Sequence, residues 1–259
     1  MNDHLAKAAV LAFLLVLAAP FSDAGPAPGA QGLNPAEPAY LYKTTFLRAA
    51  PGKLLDLIAL LKDRTSFYDS ASDPKPLWWR HTQGDQWDLM ILTPMASYGE
   101  YFAKERIARR AKAEEAQKGF QGKLNACVSW KEDLFVFGPP LETVKKEFEA
   151  NAYYHIEIMI ALPGKQEELF KERRMESAYG AANGRPEIMI FVRDQGANWD
   201  IYTLGCYRDL RHWAESPAIS REARDENARK AGFKSADEIG PYMRTLIDYH
   251  RDTMGVAIK

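Results

Sequence analysis

Residues 41–53 read LYKTTFLRAAPGK, and residues 153–165 read YYHIEIMIALPGK. Each begins with an alternating run rich in β-branched and aromatic side chains, the pattern of a strand with one face in a core. Each ends in the same turn, Pro51-Gly52-Lys53 and Pro163-Gly164-Lys165. The offset of 112 residues persists beyond the turn, pairing Gln83-Gly84 with Gln195-Gly196 and Trp87-Asp88 with Trp199-Asp200. Without a gap, 18 of the 77 pairs between residues 42–118 and 154–230 are identical, where ordinary composition gives roughly 5 by chance. The chain is an internal duplication.

Working outward, each copy reads strand, helix, strand, strand, helix, strand. The first strands are residues 40–47 and 153–160. Leu54, Leu55, Leu57, Ile58 and Leu61 mark a helical apolar face after the first turn, with Leu169 and Phe170 as a weaker counterpart. Second strands fall at 77–82 and 188–193 and third strands at 87–92 and 199–204. The turns between them carry Gly84 and Gly196, residues suited to positive φ. Charge-rich helices follow at 98–118 and 216–230, the latter opened by Ser216-Pro217 as N-cap and first helical residue. Ser235-Ala236-Asp237-Glu238 is a capping-box pattern before a last helix, on which His250 would sit. Closing strands are expected at 134–137 and 254–258.

The organisation is then a signal peptide at 1–24, a Pro/Gly/Ala-rich tether at 25–38, a first repeat at 39–138, a linker with a short helical run at 139–151, and a second repeat at 152–259. The signal reading rests on twelve uncharged residues, 8–19, too few for a bilayer span. Lys7 precedes them, and Ser22 and Ala24 suit cleavage after residue 24. Export to the periplasm or medium is expected. The whole chain carries 34 Lys+Arg against 35 Asp+Glu, 46% hydrophobic and 27% charged residues, an ordinary globular balance without the basic excess of a nucleic-acid binder. No membrane insertion is expected after cleavage. An oxidising compartment permits a disulfide between Cys127 and Cys206; two buried free thiols are the alternative.

The element order is the ferredoxin-like split βαβ. With the duplication, it resembles the dimeric α/β-barrel superfamily in its tandem form over residues 39–259. The resemblance implies an α+β fold in which two ferredoxin-like (βαββαβ) repeats pack their antiparallel sheets into one α/β barrel, as a monomer or homodimer. Members include cofactor-free monooxygenases, haem-degrading enzymes, chlorite dismutase-like haem proteins and proteins of no known reaction, so the fold constrains chemistry loosely. It implies a binder of a small hydrophobic or aromatic molecule, monooxygenase-like if an enzyme. The alternatives are a non-catalytic binding or interaction module with a structural polar interior, and a haem protein.

Strand parity sorts the candidate residues. Placing the aliphatic face of 153–160 under the helices turns Tyr153, His155, Glu157 and Met159 into the barrel, together with Lys43 and Thr45 of the first copy. Trp79, His81, Phe191 and Arg193 join them when Ile188, Ile190 and Val192 are taken as core. The expected site is one aromatic-walled cavity, with His155 as general base tuned by Glu157 or Lys43, and His81, Arg193, Trp79, Phe191 and Tyr153 binding substrate. Tyr42 and Tyr154 are expected between sheet and helices, as core or as a second binding surface. No cofactor is required; the candidate haem ligands are His155, His212 and His250. The mature histidines are far apart in sequence and form no HxxxH, so no metal site is expected.

Overall fold

The computed structural model of the protein describes residues 40–83, 85–215 and 218–259. The signal peptide, the tether, Gly84 and the Ser216-Pro217 cap lie outside them. Eight strands are formed: β1 (Tyr40–Ala49), β2 (Leu77–Gln83), β3 (Leu89–Ala96), β4 (Val128–Gly138), β5 (Tyr153–Ala161), β6 (Met189–Gly196), β7 (Ile201–Tyr207) and β8 (Ile247–Ile258). Each copy orders its strands 4-1-3-2, and the copies join edge to edge at β2·β8 and β4·β6. One chain thereby closes a barrel in the order β1-β3-β2-β8-β5-β7-β6-β4, every ladder antiparallel. Closure leaves no free sheet edge.

The helices are α1 (Leu54–Asp63), α2 (Thr65–Ala71), α3 (Tyr98–Tyr101), α4 (Lys104–Glu115), α5 (Phe120–Cys127), α6 (Leu141–Ala150), α7 (Gln166–Ala182), α8 (Leu210–Ala214), α9 (Arg221–Ala231) and α10 (Ile239–Arg244). The helix expected at 98–118 divides into α3 and α4, and that expected at 216–230 is α9, which starts behind Ser220, whose hydroxyl accepts from Ala223 N. Ser235 precedes a 3-10 turn, Ala236–Glu238, without making the side-chain cap. No described helix is long and apolar enough to cross a membrane.

Several repeated residues have the same structural role in both halves. The carboxylates of Asp88 and Asp200 accept from the backbone N–H of Ala49 and Ala161, at 2.8 and 2.9 Å. Their own amides donate to Leu47 O and Met159 O. The adjacent Trp87 and Trp199 both pack edge-on against Phe46, with ring centroids 5.0 and 4.5 Å away. Each Pro-Gly-Lys turn closes with a 2.9 Å bond, Lys53 N to Ala50 O and Lys165 N to Leu162 O, over a glycine with φ of 74° or 78°.

The barrel interior is solid. Tyr42, Phe46, Trp79, Met90, Leu134, Tyr154, Ile156, Ile158, Phe191, Tyr202, Leu204 and Cys206 all join one buried cluster, and the linker helix α6 adds Val144 and Phe148. The interior faces of both first strands are therefore opposite to expectation: the aliphatic side of β5 and the Tyr42 side of β1 point inward. A closed eight-strand barrel encloses the driest volume in the molecule, and the least polar strand face goes there. Tyr42 and Tyr154 stand inside, not under the helices. Their hydroxyls donate to the linker, at Pro139 O (2.7 Å) and Asn151 O (3.2 Å). Cys206 lies in this core and Cys127 in the first half's helix layer. Both are free thiols, so the disulfide is not formed.

Gly138 shows how tightly this interior is filled. A Cβ there would overlap the Phe191 ring, which stacks on Tyr202 at 4.7 Å. Gly138→Ala is expected to destabilise the fold by about 1–3 kcal/mol, the usual cost of overpacking. The measurement is the urea midpoint at unchanged m-value; an unchanged midpoint would mean the barrel is looser than its packing implies.

Candidate functional site

With the barrel filled, polar side chains that the strand pattern leaves over collect on the outer face of the second sheet. β5 and β8 are paired so that Glu157 faces Asp252, His155 faces Met254 and Met159 faces His250. Residues two apart on a strand share a face. His155, Glu157, His250 and Asp252 therefore form one patch, drawn from positions 95 residues apart in the chain. Asp252 bridges the two imidazoles, with Oδ1 3.2 Å from His155 Nε2 and Oδ2 3.1 Å from His250 Nε2. Glu157 accepts from Thr203 Oγ1 at 2.9 Å and lies 3.4 Å from Arg173 Nη1.

Arg173 comes from α7, packed over this face, and is wholly buried. Its Nε and Nη2 bind Glu172 at 2.6 and 2.9 Å, and Nη2 also binds Glu176. Glu172 is wholly buried too, and Glu157 is 16% exposed. Four carboxylates thus surround one guanidinium and two imidazoles.

The ionisation equilibria follow the contacts. Asp252 is held well below the ordinary carboxylate range by the hydrogen bonds from His155 and His250. Burial works against a charge on His155 but is outweighed by Asp252 and Glu157, so its pKa is raised. That of His250 is raised chiefly by its bond to Asp252. Burial raises Glu176 despite the pull of Arg173.

Over the patch opens a cleft of about 690 Å³. Its floor is His155, Glu157, His250 and Asp252, with Glu176 at one side; its wall includes Trp213 of α8 and Ile239 and Met243 of α10. The Trp213 and His155 rings are 6.4 Å apart. α8 is fixed by Asp209, whose carboxylate accepts from His212 N at 2.8 Å. That geometry presents Trp213 to the cleft and leaves His212 outside it, its Nδ1 accepting from Arg208 N.

The structure separates the remaining candidates. Lys43 is on the outer face of the other half, beside Asp133, with its pKa lowered by burial. It cannot tune His155. Trp79 and Phe191 are in the solid interior, on the opposite side of the sheets from His155 and Glu157. His81 packs edge-on to Trp87 at 5.1 Å beside a separate depression lined by Asp85 and Asp88. Arg193 pairs with Asp200 at 2.7 Å. Tyr153 is half-buried on the His155 side of β5 but does not line the cleft. The single cavity expected from sequence is therefore not assembled: His155 and Glu157 meet, and the partners that matter are His250, Asp252, Glu176 and Trp213. His250 lies on β8, because that strand begins at Ile247 and extends seven residues ahead of the expected start.

The corresponding positions of the first half carry a different set. Thr45 faces Asp133 and Leu47 faces Lys131 on the β1·β4 ladder. The 112-residue offset puts Lys43 and Thr45 where the second half has His155 and Glu157, and the ladder register puts Lys131 and Asp133 where it has His250 and Asp252. Asp133 accepts from Thr45 Oγ1 and pairs with Lys131 Nζ at 2.7 Å. The repeated aspartate is thus neutralised by fixed ammonium groups in one half and by imidazoles in the other.

Haem would need an apolar slot, a free imidazole nitrogen and cations for its propionates. Here the described lining has three carboxylates and no Lys or Arg to pair with propionates. These residues fit haem poorly.

No protein-family model matches the chain, and no curated protein matches it. Solved structures share its fold. An anthrone oxidase-like protein aligns with TM-score 0.52 and 10% identity over 86% of this chain and 92% of its own. A candidate monooxygenase of Fusobacterium nucleatum subsp. nucleatum gives 0.52 and 10% over 85% and 93%. A haem-binding protein from Thermus thermophilus gives 0.43 and 10% over 85% and 92%. The protein has the dimeric α/β-barrel fold, with both halves supplied by one chain.

Arg173 is the cation on which this face depends. Arg173→Met leaves Glu172, Glu176 and Glu157 without it. Removing one partner of a buried ion cluster costs about 3–5 kcal/mol, so a large fall in urea midpoint is expected. A change below about 1 kcal/mol, the range of surface pairs, would show that the cluster is solvated.

Proposed function

We propose that the second-half cleft binds a small hydrophobic or aromatic molecule with a polar end, and that its floor is where that molecule is oxidised. The observation that carries this reading is the meeting, in one cleft, of an apolar wall (Trp213, Ile239, Met243) with convergent polar groups (His155, Glu157, His250, Asp252). That combination is what a small-molecule site requires, and the filled barrel offers no rival inside. Trp213 would stack on the ligand while the imidazole–carboxylate floor takes hydrogen bonds from its hydroxyl or activated C–H.

The neighbours described as anthrone oxidase-like and as a candidate monooxygenase favour oxidation by dioxygen. For an activated methylene the reaction balances without an external reductant. One oxygen atom becomes the new carbonyl; the other leaves as water with the two substrate hydrogens.

The test is calorimetric titration with a panel of hydroxylated polycyclic aromatics and anthrones, followed by oxygen uptake. Binding to the wild type is expected, weakened at least about tenfold in Trp213→Ala, as for truncation of an aromatic anchor. Lys43→Met, in the other half, should bind normally. Equal affinity in Trp213→Ala would move the ligand out of this cleft. Failure of the whole panel would favour a non-catalytic module with a structural polar face.

We also propose that the protein acts after export. Intact mass of the exported protein should correspond to a chain beginning at Gly25, and a full-length mass would refute it.

A further inference from the structure

We propose that His155, Glu157 and Asp252, with His250 as a further donor, bind one divalent first-row transition-metal ion at the floor of the cleft. Ligand atoms of His155, Glu157 and Asp252 lie within 4.8 Å of one another, all on one sheet face. Metal–nitrogen and metal–oxygen bonds of about 2.0–2.2 Å put neighbouring donors roughly 3–3.5 Å apart. The His155 Nε2–Asp252 Oδ1 distance of 3.2 Å and the His250 Nε2–Asp252 Oδ2 distance of 3.1 Å already have that span. β5 is ladder-bonded on both sides at His155 and Glu157, and β8 is bonded to β5 along His250 and Asp252.

The duplication supplies an internal control on the electrostatics of the cluster. In the first half, Lys43 and Lys131 bring fixed positive charge to Asp133. In the second half those two lysine positions are imidazoles, and the threonine position is a second carboxylate, Glu157. The one arginine of the second-half cluster, Arg173, is already shared among Glu172, Glu176 and Glu157. Glu157 is 16% exposed, and a largely buried carboxylate in excess of cations is costly. A divalent ion bound by the imidazoles, Glu157 and Asp252 supplies the charge that lysine supplies in the first half.

A donor set of imidazole and carboxylates without thiolate suits Fe²⁺, Mn²⁺ or Zn²⁺ over softer ions. Asp252 also holds His250 Nε2 at 3.1 Å, so a second imidazole stands beside the set. The cleft side of the ion is left for water or the ligand's polar end. The inference goes beyond the proposed function, because metal binding can be read with no organic ligand present.

The experiment is anaerobic titration of chelator-stripped, full-length protein with Fe²⁺, Mn²⁺ and Zn²⁺ by calorimetry, with Mn²⁺ also followed by electron paramagnetic resonance. One equivalent is expected to bind in the micromolar range or tighter. Asp252→Asn should weaken it by at least about 100-fold, the upper end of what even outer-shell changes do. The double substitution His155→Lys with His250→Lys rebuilds the first-half charge pattern. It is expected to abolish metal binding while the melting temperature is retained. No saturable binding to the wild type, or undiminished binding in the double variant, overturns the proposal. Saturable metal binding together with failure of the whole aromatic panel would defeat only the proposed function; binding of the panel with no saturable metal binding would defeat only the metal site.

Discussion

Closure of the barrel by one chain is the constraint on which the rest depends. Because β2 meets β8 and β4 meets β6, the inward faces of the strands converge on one buried hydrophobic cluster. The sequence answers with aromatics from both halves. Phe46 packs edge-on against Trp87 and Trp199, and Thr44 Oγ1 is bonded across the barrel to Tyr202 at 2.8 Å. Burial of that area is the main favourable term in the fold. It also forces polar residues of these strands onto the outer face, where helices cover them incompletely. The location of the candidate site is thus a consequence of packing rather than an independent feature.

Duplication divides the residues into two kinds. Trp-Asp and Pro-Gly-Lys recur with the same local role in both copies. The aspartate accepts one particular backbone amide, and the glycine turn opens a helix. Positions 43, 45, 131 and 133 and their counterparts recur in place but, apart from the aspartate, not in identity. A duplicated fold needs its turns and strand anchors twice, whereas one outer face can be neutralised by lysines while the other changes. Identity between copies marks scaffold, and difference at a structurally equivalent position marks the place to look for chemistry.

The duplication and the element order can be read directly from the chain, because strand alternation, repeated turns and the 112-residue offset are local or periodic signals; the barrel follows only through the resemblance they carry. The site can be read only in part. His155 and Glu157 stand out, but giving the aliphatic side of β5 to the helices assigns them the wrong face. That choice ignores how much drier a closed barrel is than a helix–sheet interface. Lys43 then comes along by parity, as a false partner. His250 and Asp252 escape notice as a pair because Ile247 to Thr253 is polar enough to continue a helix. Its alternation, His250-x-Asp252 mirroring His155-x-Glu157 on the neighbouring strand, is the available signal. Trp213 and Glu176 depend on how α8 and α7 settle over the sheet, which no pattern in one sequence encodes.

The cluster around Arg173 also bears on why such a face persists. Replacing a buried ion cluster by apolar residues of similar volume is often neutral or stabilising, and the first half keeps its equivalent aspartate with far fewer charges. Stability alone therefore gives no reason to place Glu157, Glu172 and Glu176 around one guanidinium with Asp252 on the imidazoles beside it. Arg173 and Glu172 are wholly buried, whereas His155, His250 and Asp252 are 27%, 22% and 48% exposed, all three on the cleft side. The buried end is self-satisfied and rigid; the open end holds titratable donors turned toward solvent. A network with only a structural role would be expected to saturate at both ends. One that saturates inward and stays open outward is arranged as a support and the groups it supports, which is how a site that must hold a ligand is built.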